Sequence, residues 1–152
     1  MTITPIVLVE DRGLLALSIS DLLRRAQEAL KAYELNGPAQ IVASGRGLIR
    51  WLDAQPLGSV RLLLLDFSIS DGESTQVLSQ IREPHSKEGI HAALHPSALV
   101  IGWSANAEAA DHFHRTGAGA FISKDRPISE LVDNIIKVIQ RRSAGERWIE
   151  LR

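Results

Sequence analysis

The sequence predicts an α/β fold: a five-stranded parallel sheet with helices on both faces. Three observations lead there. Short apolar runs recur along the chain and are continuous rather than alternating, which suits strands buried on both faces. Segments of helical periodicity lie between them, so strand and helix alternate and each crossover returns the next strand parallel to the last. The length, 152 residues with 45% of them apolar, suits one ordinary domain and little more.

The predicted strands are residues 6–9, 41–43, 62–65, 98–101 and 120–122. After the first, Leu15, Ile19, Leu22, Leu23, Ala26 and Leu30 draw one apolar stripe along a helix of about five turns. Asn36-Gly37-Pro38 then prevents the chain from continuing as helix. Gly45-Arg46-Gly47 reads as a loop or helix start, and no dinucleotide fingerprint surrounds it. A short helix follows the third strand and runs to Ile81, ended by Pro84. Residues 82–96 form an unusually long connection, predicted as a surface loop with a turn of helix around 91–94. A fourth helix begins near Asn106. In the last one Ile128, Leu131, Val132, Ile135, Ile136 and Ile139 share a face, with Arg141 and Arg142 at the dipole's negative end. The domain is expected to span 1–142. The remaining 143–152 form a short tail, and no effector domain is expected. Trp148, Ile149 and Leu151 in that tail either pack back on the domain or meet a partner.

Seventeen basic against eighteen acidic groups leave a formal charge of −1 and no broad cationic footprint, so nucleic-acid binding is not expected. The absence of cysteine removes disulfide scaffolds, thiolate zinc sites and cysteine nucleophiles together. No signal-type start or apolar run of spanning length is present, so no membrane partner is expected and the default location is cytoplasmic.

Chemistry in such sheets collects beyond the carboxyl ends of the strands. There the first strand delivers Glu10 and Asp11, the third Asp66, the fourth Ser104 and the fifth Lys124. Three carboxylates brought together repel one another, and Lys124 compensates only one charge. A hard divalent cation is the natural second counterion, and an all-carboxylate set favours Mg²⁺ over zinc.

The segments VLVED, LLLLDFSISDG, VIGWSA and GAGAFISKD carry these residues in order. In that order the chain resembles the receiver domains of two-component response regulators, from Ile6 to about Ile139. The resemblance implies a flavodoxin-like (βα)5 fold with strand order 2-1-3-4-5. It implies that Asp66 is a phosphoacceptor, charged by a sensor histidine kinase or a histidine phosphotransfer protein. Asp11 and Asp66 would hold Mg²⁺ directly, Glu10 directly or through water, with the backbone carbonyl of Ser68 completing the protein ligands. Lys124 would pair with the phosphoryl group, Ser104 would move to donate a hydrogen bond to it, and Phe121 would be the switch aromatic. Ser68 and Asn106 would flank the path of the hydrolytic water. The face formed by the fourth helix, fifth strand and fifth helix would be read by a downstream protein partner, and a homodimer through it is compatible with the sequence. Such a chain is not an enzyme in the ordinary sense: it takes up a phosphoryl group from a donor and loses it slowly.

Two positions depart from the family pattern. Asp125 follows Lys124 where a cis proline is frequent, and Ser70 stands where proline is common, although Asp71-Gly72 keep the turn chemistry. A phosphatase of the haloacid dehalogenase type is disfavoured, because its second acid would have to stand at Ser68. A phosphorylation-independent interaction module remains the alternative, although its usual sign is loss of the acids or the lysine. Plainer roles exist for single residues: Glu10 and Asp11 as helix caps, Ser104 as a cap, Phe121 as a static core ring. His85, His91, His95, His112 and His114 are expected on the surface, not as a zinc site.

Overall fold

The structure is a computed structural model and describes residues 3–81 and 91–152. Its parallel sheet contains β1 (Ile6–Val9), β2 (Ala39–Val42), β3 (Val60–Asp66), β4 (Leu94–Ser104), β5 (Ala120–Ser123) and β6 (Ile149–Leu151). Their order across the sheet is 2-1-3-4-5-6. The five predicted strands keep the predicted order, but the sheet has six. The tail supplies the sixth, with Ala120, Phe121 and Ile122 opposite Ile149, Glu150 and Leu151. Three residues are too few for a period to show in the sequence. Ile149 and Leu151 become strand residues because β5 offers an unpaired edge beside them.

The helices are α1 (Gly13–Arg25), α2 (Gly45–Asp53), α3 (Ser74–Ile81), α4 (Ala109–Thr116) and α5 (Leu131–Ser143). Adjacent strand residues point to opposite faces, and two cores result. On one side Ile6, Leu8, Leu62, Leu64, Ile101 and Ile122 pack against α1 and α5. On the other, Val7, Val9, Leu63, Leu65, Val100 and Phe121 pack against α2, α3 and α4. Continuous apolar runs are thus required of strands that feed both cores.

Several boundaries differ from the sequence expectation. The long first helix breaks at Ala26, whose φ of −94° and ψ of 15° are not helical, and resumes as Gln27–Lys31. The chain then leaves helix before Asn36, turning through Glu34 at φ 59°. Gln27 holds the return, donating to the Leu23 and Gly37 carbonyls and accepting from the Gly37 amide. Of the predicted 82–96 loop, residues 82–90, with Pro84 and His85, lie outside the described residues. The predicted helical turn at 91–94 is a non-helical turn, and β4 already begins at Leu94. Leu94 faces Val60 but Leu99 faces Leu62, so β4 carries three extra residues there. Pro96 lies within that excess, where no ladder donor is required. The fourth helix starts at Ala109 rather than near Asn106, and the fifth at Leu131 after a 3-10 turn, Ile128–Glu130.

Candidate functional site

Strand order reverses between β1 and β3, and the residues leaving their carboxyl ends converge. Glu10, Asp11 and Asp66 each place one carboxylate oxygen within 4.8 Å of the others. Glu10 and Asp66 are buried, at 1% and 6% exposure, whereas Asp11 faces solvent. Lys124 reaches in from the end of β5, with Nζ 3.0 Å from Asp66 Oδ1 and 3.2 Å from Glu10 Oε2. The ammonium also lies 4.5 Å from the centre of the Trp103 ring, which shields it from water on that side. Two buried acids therefore share one cation that is itself partly exposed.

The electrostatics of Glu10 reflect this shortage of positive charge. Burial raises its carboxyl above the ordinary value, and the charge on Asp66 adds to the rise. The Arg12 amide, donating to Oε1 at 3.1 Å, and Lys124 oppose it without cancelling it. Carboxylate oxygens are hard donors, and this set fits a hard divalent cation such as Mg²⁺.

The strands fix the rest of the site. Ser104 is buried at the end of β4, and its Oγ accepts the Asn106 amide at 3.0 Å. Asn106 is exposed, and its Oδ1 accepts the Glu108 amide at 2.9 Å, so both side chains brace the approach to α4. The Ser104 carbonyl accepts the Lys124 amide at 2.9 Å, which ties the β4 and β5 ends together. Ser68 is exposed and opens a two-residue ladder, with Ser68 opposite Glu73 and Ile69 opposite Gly72. Gly72, at φ 132°, supplies the left-handed residue of that turn. Among the described residues no peptide bond is cis, and the Asp125 amide donates to Ser123 Oγ at 3.0 Å. Phe121 is fully buried, its ring centre 6.4 Å from that of Phe113 on α4. Phe113 in turn stands edge-on to Phe67, the residue after Asp66, at 5.8 Å. A row of rings thus runs from the acid site to β5.

Two contributors escape the sequence reading, and Trp148 resolves one of its alternatives. Asp71 caps α2, its carboxylate accepting the Gly45 and Arg46 amides at 2.8 and 3.1 Å, which lowers its pKa. With Ser70 Oγ donating to the Ala43 carbonyl, this fastens the loop after Asp66 to the loop after β2. Asp-Gly signalled a turn, but not the helix end across from it. Gly102 admits the Phe113 ring: a Cβ there would lie 2.2 Å from it. Trp148 stacks on His114 of α4 at 4.4 Å and 10°. Among the described residues no histidine joins a metal-ligating group: His91 pairs with Asp53 at 2.8 Å, and His95 accepts the Ser97 amide.

No family model matches the sequence, and no curated protein resembles it. Solved structures do. A CheY-like receiver domain protein from Methanospirillum hungatei is 18% identical, with a TM-score of 0.64 over 95% of this chain and all of that one. A LuxR family DNA-binding response regulator from Silicibacter pomeroyi is 18% identical, TM-score 0.65, over 97% of this chain and 95% of that one. A streptococcal redox sensor, from a group described as evolved from two-component response regulators, is 19% identical with a TM-score of 0.63, covering 91% and 52%. The chain has the receiver-domain fold. The redox sensor shows that this fold is also used for other signals, so the chemistry has to be argued from the site.

Proposed function

We propose that this chain is a response-regulator receiver that accepts a phosphoryl group on Asp66 from a histidine kinase or a histidine phosphotransfer protein. The observation that carries the reading is the convergence of Glu10, Asp11 and Asp66 at the carboxyl end of the sheet, with Lys124 paired to Glu10 and Asp66. An Asp66 carboxylate oxygen attacks phosphorus, the bond to the donor's nitrogen breaks, and an acyl phosphate forms. Phosphoryl transfer depends mainly on placement and charge neutralisation. Lys124 is already within ion-pair distance of Asp66 and stays with the added negative charge. Asp11, Asp66 and the Ser68 carbonyl, with Glu10 directly or through water, would hold Mg²⁺, which would supply the second neutralising charge. Ser104 gives up its bond from the Asn106 amide to turn its hydroxyl toward the phosphoryl oxygens. Ser68 and Asn106, small and exposed, border the approach of the hydrolytic water and set how long the group survives.

The signal leaves through the face of α4, β5 and α5. Phe121 starts from a fully buried position, so a switch there works by repacking against Phe113. The chain acts as a signalling protein of the cytoplasm, passing its state to a protein partner. Two observations favour a second reading, a phosphorylation-independent interaction module: the buried ring and the sixth strand lying along β5. Intact-protein mass after incubation with acetyl phosphate separates the two. The receiver reading expects one added phosphoryl group with Mg²⁺, none without it, and none in Asp66→Ala. No gain in the wild type overturns it in favour of the module.

A further inference from the structure

The C-terminal strand lies along β5, the strand whose end carries Lys124. Its ladder engages Ala120, Phe121 and Ile122, and the Ile149 amide donates to the Gly119 carbonyl at 3.2 Å. Beyond Lys124 the tail is attached again: Arg126 Nε donates to the Arg152 carbonyl at 3.0 Å, while Nη1 donates to Asn134 Oδ1 at 3.2 Å. Lys124, the cation shared by Glu10 and Asp66, therefore stands between two points held by the tail. A third attachment, Trp148 on His114, reaches α4, the helix that follows Ser104. The end of β5 and helix α4 are thus both in contact with one short segment.

That segment inserts Ile149 and Leu151 into the core, yet its backbone hold is slight. The ladder is only three residues long, and short peripheral elements open at lower free energy than core strands. Its clasp is incompletely satisfied, since the buried Asn134 Nδ2 has no hydrogen-bond partner. Before it lies Gly145 at φ 103°, with nothing within 4 Å of where a Cβ would stand. The preceding corner is fixed, because Arg141 pairs with Glu146 through two bonds of 2.7 Å. This pair ties Glu146 to α5 and leaves residues 147–152 beyond it.

We propose that the C-terminal strand is a control element for the acidic site: docked, it holds Lys124 in its pairing with Glu10 and Asp66, and loading of Asp66 releases it. The inference rests on the receiver reading above. An acyl phosphate carries more negative charge than the carboxylate it replaces and draws Lys124 toward it, while the tail resists movement on both sides of that residue. Coupling between two sites is reciprocal, so whatever loosens the tail favours the loaded state by the same factor.

The test is hydrogen exchange at the amides of residues 149–151 in the full chain, with Mg²⁺ alone and with Mg²⁺ plus beryllium fluoride as the phosphoryl stand-in. Loading is followed separately by fluorine NMR. Exchange about tenfold faster on loading is expected, within the usual range of coupling between sites, with no change in Asp66→Ala. Loading with unchanged or slower exchange overturns the inference and leaves the receiver reading standing. Absence of loading in the wild type overturns both. Arg126→Ala supplies an independent readout: the beryllium fluoride concentration for half-loading should fall about tenfold. A lowered thermal midpoint with unchanged half-loading would mean that the clasp is structural only, and would overturn the coupling.

Discussion

The outer two of the five predicted strands, β2 and β5, are both four residues long, yet they differ in burial. Every residue of β2, Ala39–Val42, is half-buried, and only β1 pairs with it. Every residue of β5, Ala120–Ser123, is buried, because β6 lies along its outer side. An open edge keeps a row of unpaired amides and carbonyls and is normally blunted or covered. Here the covered edge is the one bearing Lys124 and the ring of Phe121, whereas the open edge carries no candidate site residue. The tail has thus closed the side of the sheet through which a signal would leave.

The largest expected effect tests that contrast directly. Ile149→Ala empties a fully buried site on the covered edge and should cost about 3 kcal/mol, against about 1 kcal/mol for Ile41→Ala on the open one, both measured by urea unfolding. Equal losses would mean that the covered side is packed no more tightly than the open one. Trp148→Ala should cost about 1 kcal/mol through lost stacking on His114, with the indole signal of the folded protein changed at the same time.

Glu10 joins the two sides, its amide donating to the Val42 carbonyl and its carboxylate meeting Lys124. Its folded pKa is raised, so between the ordinary 4.5 and that raised value the unfolded chain loses the proton first. Stability from this group is full below pH 4.5 and falls as pH rises through the folded pKa. Glu10→Gln should therefore be more stable than wild type at pH 7 without divalent cations, the advantage vanishing below pH 4.5. Unfolding curves across that range check it, and a variant less stable at pH 7 would show that the Lys124 pair outweighs burial. The smallest effect belongs to Asp71, which secures α2 beside the open edge. Its pKa is lowered by the Gly45 and Arg46 amides, so its contribution is present above pH 3.8 and lost as pH falls through the folded value. Asp71→Asn should be slightly less stable at pH 7, and the gap to wild type should close in acid.

What the sequence determined by itself is what periodicity and strand ends encode. Continuous apolar runs marked β1, β3 and β5 because a strand feeding two cores has no polar side. The same logic placed Glu10, Asp11, Asp66, Ser104 and Lys124 on one rim, and the structure brings four of them into direct or near contact with one another, with Ser104 tied through the Lys124 amide. The break at Ala26 was not legible, since its apolar stripe continues unbroken and the change lies in backbone dihedrals. Nor was the true start of β4, because Pro96 reads as a terminator until a three-residue excess gives it a place without a ladder bond. Asp71 looked like a turn residue, and only the approach of α2 made it a cap. The sixth strand is the fullest case. Ile149-Glu150-Leu151 has too few residues to declare a period, and becomes a strand because β5 presents it with unpaired backbone and an apolar surface at the right distance.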